Sequence, residues 1–182
     1  MTFSGCSSQN SLSGDQGLAE TKAQAPRNSP EVHKLEEELT ALLGYQDPEI
    51  SLLAHTAIEQ TNVLARQYQI TGFPLLHNFL VNIGIKDRGL CCHWTEDLLK
   101  ALTALELKHF RLVWAVSNYG TFREHNSIAV VPEGKKLQEG LILDPWRNAG
   151  KLFWTPTGQD HYEWRLHPGY NGRSANITCE AE

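Results

Sequence analysis

The stretch Gly89-Leu90-Cys91-Cys92-His93-Trp94-Thr95-Glu96-Asp97-Leu98-Leu99-Lys100-Ala101-Leu102 marks the point where the chain changes character. Cys91, Thr95, Leu98, Leu102 and Leu105 recur at helical spacing and form one stripe, whereas Cys92, Glu96 and Thr103 form a more polar one. The spacing predicts an amphipathic helix with Cys91 on its inward face and Cys92 looking elsewhere. Short β-type runs follow at 110–116, 127–131, 141–143, 152–154 and 162–164, separated by Gly and Pro turn signals. All five Trp lie between positions 94 and 164, which places the main core here. One helix followed by an antiparallel sheet is an α+β arrangement.

Upstream of this stretch the pattern is helical. Ser29-Pro30 offers an N-cap and a first-turn proline, followed by Val32, Leu35, Leu39, Leu42 and Leu43 at helical spacing and a stop at Gly44. Asp47-Pro48 opens a second helix in the same way, carrying Ile50, Leu53, Ala57, Ile58 and Leu64 toward Tyr68. A shorter apolar helix is expected from Pro74 to Val81. Residues 30–83 therefore read as a helical cover on the core at 84–170. His33, His55 and His77 fall inside these helices and read as surface or core histidines. Residues 1–29 are rich in Ser, Gln, Gly, Asn and Ala and too poor in large apolar groups to offset their ordering entropy. They read as a disordered tether, and residues 171–182, with Cys179, as a flexible tail.

Composition narrows the function classes. The chain has 182 residues, 16 basic and 21 acidic, and a formal charge of −5. A binder of nucleic-acid phosphates would need a basic excess, so no nucleic-acid partner is expected. No segment approaches the roughly 20 continuous apolar residues of a membrane span. Gly, heptads and Cys are too few for collagen, a coiled coil or a disulfide scaffold.

Three residues stand in an order that suits covalent chemistry. Cys91 lies at the start of the helix, where free N–H groups and the helix dipole favour a thiolate. His125 stands at the entrance of the strand ending at Val131, and Asp144 follows the apolar run Leu141-Ile142-Leu143. A hairpin closing through 132–140 would bring His125 and Asp144 to the same end. Asp144 could then accept from one imidazole nitrogen and leave the other for a thiol.

A Gly-x-Cys-x-x-aromatic-small segment opening a helix, a His heading a strand and a strand ending in Asp-Pro together resemble the transglutaminase-like or papain-like cysteine-protease superfamily. Gly89, Cys91, Trp94 and Thr95 match the first element, His125 the second and Asp144-Pro145 the third, across residues 84–146. The chain departs from the pattern in having Asn126, Ser127 and Ile128 after the His, and a second cysteine beside the first. The resemblance implies a cysteine-proteinase-like fold and a Cys91–His125–Asp144 triad cleaving or transferring at an amide of a protein or peptide substrate. It implies backbone N–H groups at Cys91 and Cys92 as oxyanion donors, with the side chain of Asn78 as a further candidate. No metal or organic cofactor is required.

Other readings rest on the same residues. A metal site from Cys91, Cys92, His93 and His125 departs from zinc spacing, because structural sites separate their cysteines by two to four residues. An adjacent Cys91–Cys92 disulfide would silence the nucleophile. The aromatic segments Leu152-Phe153-Trp154-Thr155-Pro156 and Tyr162-Glu163-Trp164-Arg165-Leu166 could instead give a non-catalytic interaction protein a binding face. At the N-terminus, Phe3-Ser4-Gly5-Cys6 resembles a bacterial lipobox, with only residues 1–5 ahead of the cysteine. Cys6 is then either a lipidated anchor of a protein facing the periplasm or exterior, or an ordinary cysteine of a cytoplasmic chain.

Overall fold

The structure, a computed structural model, describes Met1, residues 29–171 and Cys179. The tether expected over 1–29, Cys6 included, lies outside the described residues apart from Met1 and Ser29. Four helices precede the sheet: α1 (Pro30–Leu43), α2 (Pro48–Gln67), α3 (Pro74–Asn82) and α4 (Cys91–Thr103). Their starts follow local chemistry. Ser29 Oγ accepts from the Val32 amide at 3.2 Å, and Asp47 Oδ1 accepts from the Glu49 amide at 2.8 Å, each ahead of a proline whose missing N–H costs nothing in the first turn. Gly44, at φ 87°, ends α1 in the left-handed conformation that suits glycine.

Strands β1 (Phe110–Ser117), β2 (His125–Pro132), β3 (Leu141–Asn148), β4 (Lys151–Pro156) and β5 (Arg165–Leu166) form one antiparallel sheet in the order β4-β3-β2-β1-β5. The fold is α+β. Alternation along the strands separates two apolar faces. Trp114, Ile128, Val130, Leu141 and Leu143 face the helices, in one cluster with Leu35, Leu39, Leu53, Trp94, Leu98 and Leu102. Val113, Ala115, Ala129, Val131 and Ile142 point the other way and are covered by Leu137 and Trp164. The helices of 30–67 thus share the core of the sheet, and α4 is sandwiched between α2 and β2.

Two expectations need correction. The run 162–164 is not a strand; pairing with β1 falls on Arg165–Leu166, with Leu166 opposite Ala115. Tyr162 and Trp164 leave the ladder because their rings pack on the outer face and on His125. The tail expected over 171–182 is not wholly free either. Cys179 is half-buried and joined to Cys92 by a disulfide with Cα atoms 5.7 Å apart. A polar composition carried no signal of this long-range partner.

Leu98 is fully buried on the α4 stripe. Leu98→Ala is expected to lower unfolding free energy by about 2–5 kcal/mol, measured by urea titration, because the surrounding core cannot close the cavity.

Candidate active site

The turn before Cys91 is held from three sides. Gly89 has φ 130°, and the His77 ring fills the space in which any side chain at position 89 would stand. That ring donates from Nε2 to the Arg88 carbonyl at 2.9 Å. His93 Nδ1 accepts from the Gly89 and Leu90 amides at 3.2 and 3.3 Å, and the Trp94 indole donates to the Gly89 carbonyl at 3.1 Å. Arg88 bridges to Glu96 at 2.6 Å and to Asp97 at 3.0 Å. The start of α4 is therefore fixed by its own first turn and by α3.

Cys91 is half-buried and is the free cysteine among the described residues. Its Sγ lies 3.9 Å from the Glu124 carbonyl, at the entrance to β2. The next residue is His125. The β2–β3 register runs Ile128↔Leu143, Ala129↔Ile142 and Val130↔Leu141. Continued by one step, it sets Asp144 opposite Ser127, diagonal to His125 on the same face. His125 Nε2 and Asp144 Oδ2 are 2.7 Å apart, with the side chains 3% and 0% exposed. Nδ1 of His125 is buried without a hydrogen-bond partner among the described residues, and is the nitrogen left for the neighbouring Cys91 thiol. Burial alone would push the imidazole down. The Asp144 hydrogen bond and the Cys91 side chain outweigh it and hold His125 up at about 9.

Asp144 is itself gripped. Its Oδ1 accepts from the Arg147 amide at 3.1 Å, and Oδ2 accepts from Arg147 Nε at 3.0 Å. The same guanidinium makes two bonds to Asp160, at 3.0 and 2.7 Å, and Asp160 also accepts from the Trp164 indole at 2.9 Å. Burial would raise the Asp160 carboxyl; the bonds from Arg147 and Trp164 prevail and hold it down at about 2. The Arg147 guanidinium lies 4.2 Å from the centre of the Phe153 ring. Around His125 stand Trp146, Tyr162 and Trp164, with ring centres at 4.9, 4.7 and 5.4 Å.

Cys91, His125 and Asp144 are thus together at one end of the sheet. Asn78 is one step away: its Oδ1 accepts from the Trp146 indole at 2.9 Å, which leaves its amide N–H groups for another acceptor. Cys92 contributes only its backbone N–H to that end, since its side chain is tied to Cys179. The four residues weighed for a metal do not converge as a set. Cys92, His93 and Cys179 do have donor atoms within 4.8 Å of one another. Their sulfurs are bonded to each other, however, and His93 spends Nδ1 on two amides. Sequence reasoning missed Arg147, Asp160 and the aromatic ring of residues around His125. Arg147 stands three residues after Asp144 at a strand end, a weak local signal; Asp160 had none.

No family model, curated protein or solved structure matches this chain.

Gly89→Ala is expected to cost about 1–3 kcal/mol, by backbone strain and by displacing the His77 ring. Urea denaturation checks this. For the buried pair, the folded His125 value lies above its unfolded one, so its contribution to stability is complete below about pH 6.5 and is lost as pH rises through about 9. The difference in melting temperature between the wild type and Asp144→Asn should therefore be largest near pH 6 and shrink steadily toward pH 9. A constant difference across that range would contradict the assignment.

Proposed function

We propose that the chain is a thiol-dependent hydrolase or acyltransferase acting at an amide or peptide bond, on a cysteine-proteinase scaffold of the transglutaminase-like kind. The observation that carries this reading is the polarity of His125: one nitrogen is bonded to a buried carboxylate, while the other is unpartnered beside a half-buried free thiol. His77 is also buried with one unpartnered nitrogen, so what sets His125 apart is the pairing of a carboxylate on one side with a free thiol on the other. The order of a Cys-bearing helix before His- and Asp-bearing strands is the second support.

The steps follow from the residues. His125, holding a proton at Nδ1, pairs with the Cys91 thiolate. Sγ attacks the carbonyl carbon, and the Cys91 and Cys92 amides at the first turn of α4 receive the developing oxyanion, with Asn78 as a side-chain donor. His125 passes its proton to the departing amine as the C–N bond breaks, leaving a thioester. Water or a second amine then attacks the thioester, delivers a proton to His125 and restores the thiolate. Asp144 fixes the tautomer throughout, and Arg147 fixes Asp144.

The test is alkylation by limiting iodoacetamide without reductant, with the modified residue mapped by mass spectrometry and the rate normalised to N-acetylcysteine. Near pH 6, Cys91 should label about tenfold faster or more in the wild type than in His125→Ala, because the variant loses the cation that faces the thiol. Rates indifferent to His125 would overturn the reading. On any amide substrate found by screening, Cys91→Ala should abolish turnover. Asn78→Ala should lower kcat by about 100–1,000-fold, in the range of a lost oxyanion donor.

A further inference from the structure

Helix α4 begins without the usual cap. Its N-cap position is Leu90, whose side chain makes no bond to the first turn. Ser, Thr, Asp or Asn ordinarily stands at such a position and occupies one of the free amides. Here His93 takes over part of that work, because its Nδ1 accepts from the Gly89 amide at 3.2 Å and the Leu90 amide at 3.3 Å. These are the two residues directly ahead of Cys91. Whatever fixes the His93 ring therefore fixes the approach of the thiol.

The ring is 6% exposed, and one of its nitrogens lies within 4.8 Å of the sulfurs of both Cys92 and Cys179, which are joined to each other. A single imidazole thus meets the turn before Cys91 and the disulfide at once. Cys179 belongs to none of the described helices or strands, so no ladder holds it in place once its bond to Cys92 is cut. Both cysteines keep part of their surface in solvent, which gives a small thiol a way in. Cys91 stays outside the pair: it is the free cysteine among the described residues, and its sulfur faces the Glu124 carbonyl. Opening the disulfide leaves that thiol chemically intact.

We propose that His93 is a positioning residue for Cys91 and that the Cys92–Cys179 disulfide sets it, so that the reactivity of the thiol follows the redox state of that bond. This control rests on the reading of Cys91 as a nucleophile paired with His125. A dithiol reductant supplies the change: its two thiols close to a disulfide, and two electrons and two protons pass to Cys92 and Cys179, which become thiols. Cys179 then leaves the ring, the ring loosens its hold on the two amides, and Cys91 drifts from His125. His77 still packs on Gly89, and the Trp94 indole still donates to the Gly89 carbonyl, so the helix survives and the change is one of aim. Reoxidation restores the pair.

The experiment uses the full chain in three states: as purified with the bond closed, reduced by dithiothreitol and then freed of it, and reoxidised. Limiting iodoacetamide is added from about pH 5 to about pH 9, and fragment spectra separate Cys91 from Cys92. Near pH 6 the reduced chain should label Cys91 at least about fivefold more slowly, with the midpoint of its pH profile moved toward the free-thiol value of about 8.5. Reoxidation should reverse both changes, and Cys179→Ser should behave as the reduced chain does. With the bond closed, His93→Leu should also label slowly. His93→Gln should restore fast labelling, because a glutamine three residues into a helix reaches back to the N-cap amide. A thermal melt checks that each form is folded.

Equal or faster labelling after reduction overturns the proposal, and so does a reduced wild type without a cooperative melt, which would assign the bond to stability alone. Where the closed wild type and His125→Ala label alike, the reading of the nucleophile falls and the redox control with it. Where those two differ and reduction changes nothing, only the redox control falls.

Discussion

The arrangement depends on the burial of two opposite charges at the junction of β2 and β3. A carboxylate or imidazolium removed from water costs several kcal/mol unless its partners are close and well aimed. His125 and Asp144 are almost wholly covered, and the surrounding structure compensates each of them. Charges alternate along the line His125, Asp144, Arg147, Asp160, and the last acid is closed off by the Trp164 indole. The pairing of β3 with β4 is irregular between Asp144 and Asn148. That irregularity frees the Arg147 amide and guanidinium to turn back on Asp144 instead of continuing the ladder. Trp146, Tyr162 and Trp164 exclude water from the imidazole, which strengthens each bond in the line.

The thiol is delivered to this pair by a different device. A glycine in a conformation closed to other residues, a histidine ring packed against it and a second histidine capping the first turn together aim the start of α4. None of these three groups touches His125. The site is thus assembled from two rigid parts, a helix start and a hairpin end, that meet across the Glu124 carbonyl. Helix α3 links them, with His77 packed on the glycine turn and Asn78 bonded to Trp146, the residue that lies against His125.

Much of this was legible from local signals. Caps and prolines marked the starts of α1 and α2, the apolar period marked α4, and strand runs with a 132–140 turn predicted that His125 and Asp144 would share one end. What was not legible depends on partners far apart in the chain. Nothing near Asp160 points to Arg147, because bidentate pairing is a matter of geometry and leaves no period. The run Tyr162-Glu163-Trp164 has strand composition, yet its rings serve the core and the histidine, so the ladder begins one residue later. The apolar character of 74–81 was visible, but it suggested a buried helix. Composition cannot say on which side of a helix solvent stands.

The Cys92–Cys179 bond has a consequence for how the molecule comes apart. It closes a covalent ring around all five strands and most of α4, while α1, α2 and α3 hang outside it on an open chain. Constraint of the unfolded ensemble acts on the ring alone. Under oxidising conditions the bond therefore restrains the unfolded sheet segment directly, and the helices of 30–67 only through the core they share with it. Helix α3, which packs His77 on the Cys91 turn, carries Asn78 and buries little else, lies outside the ring and is the part that can open while the ring stays intact.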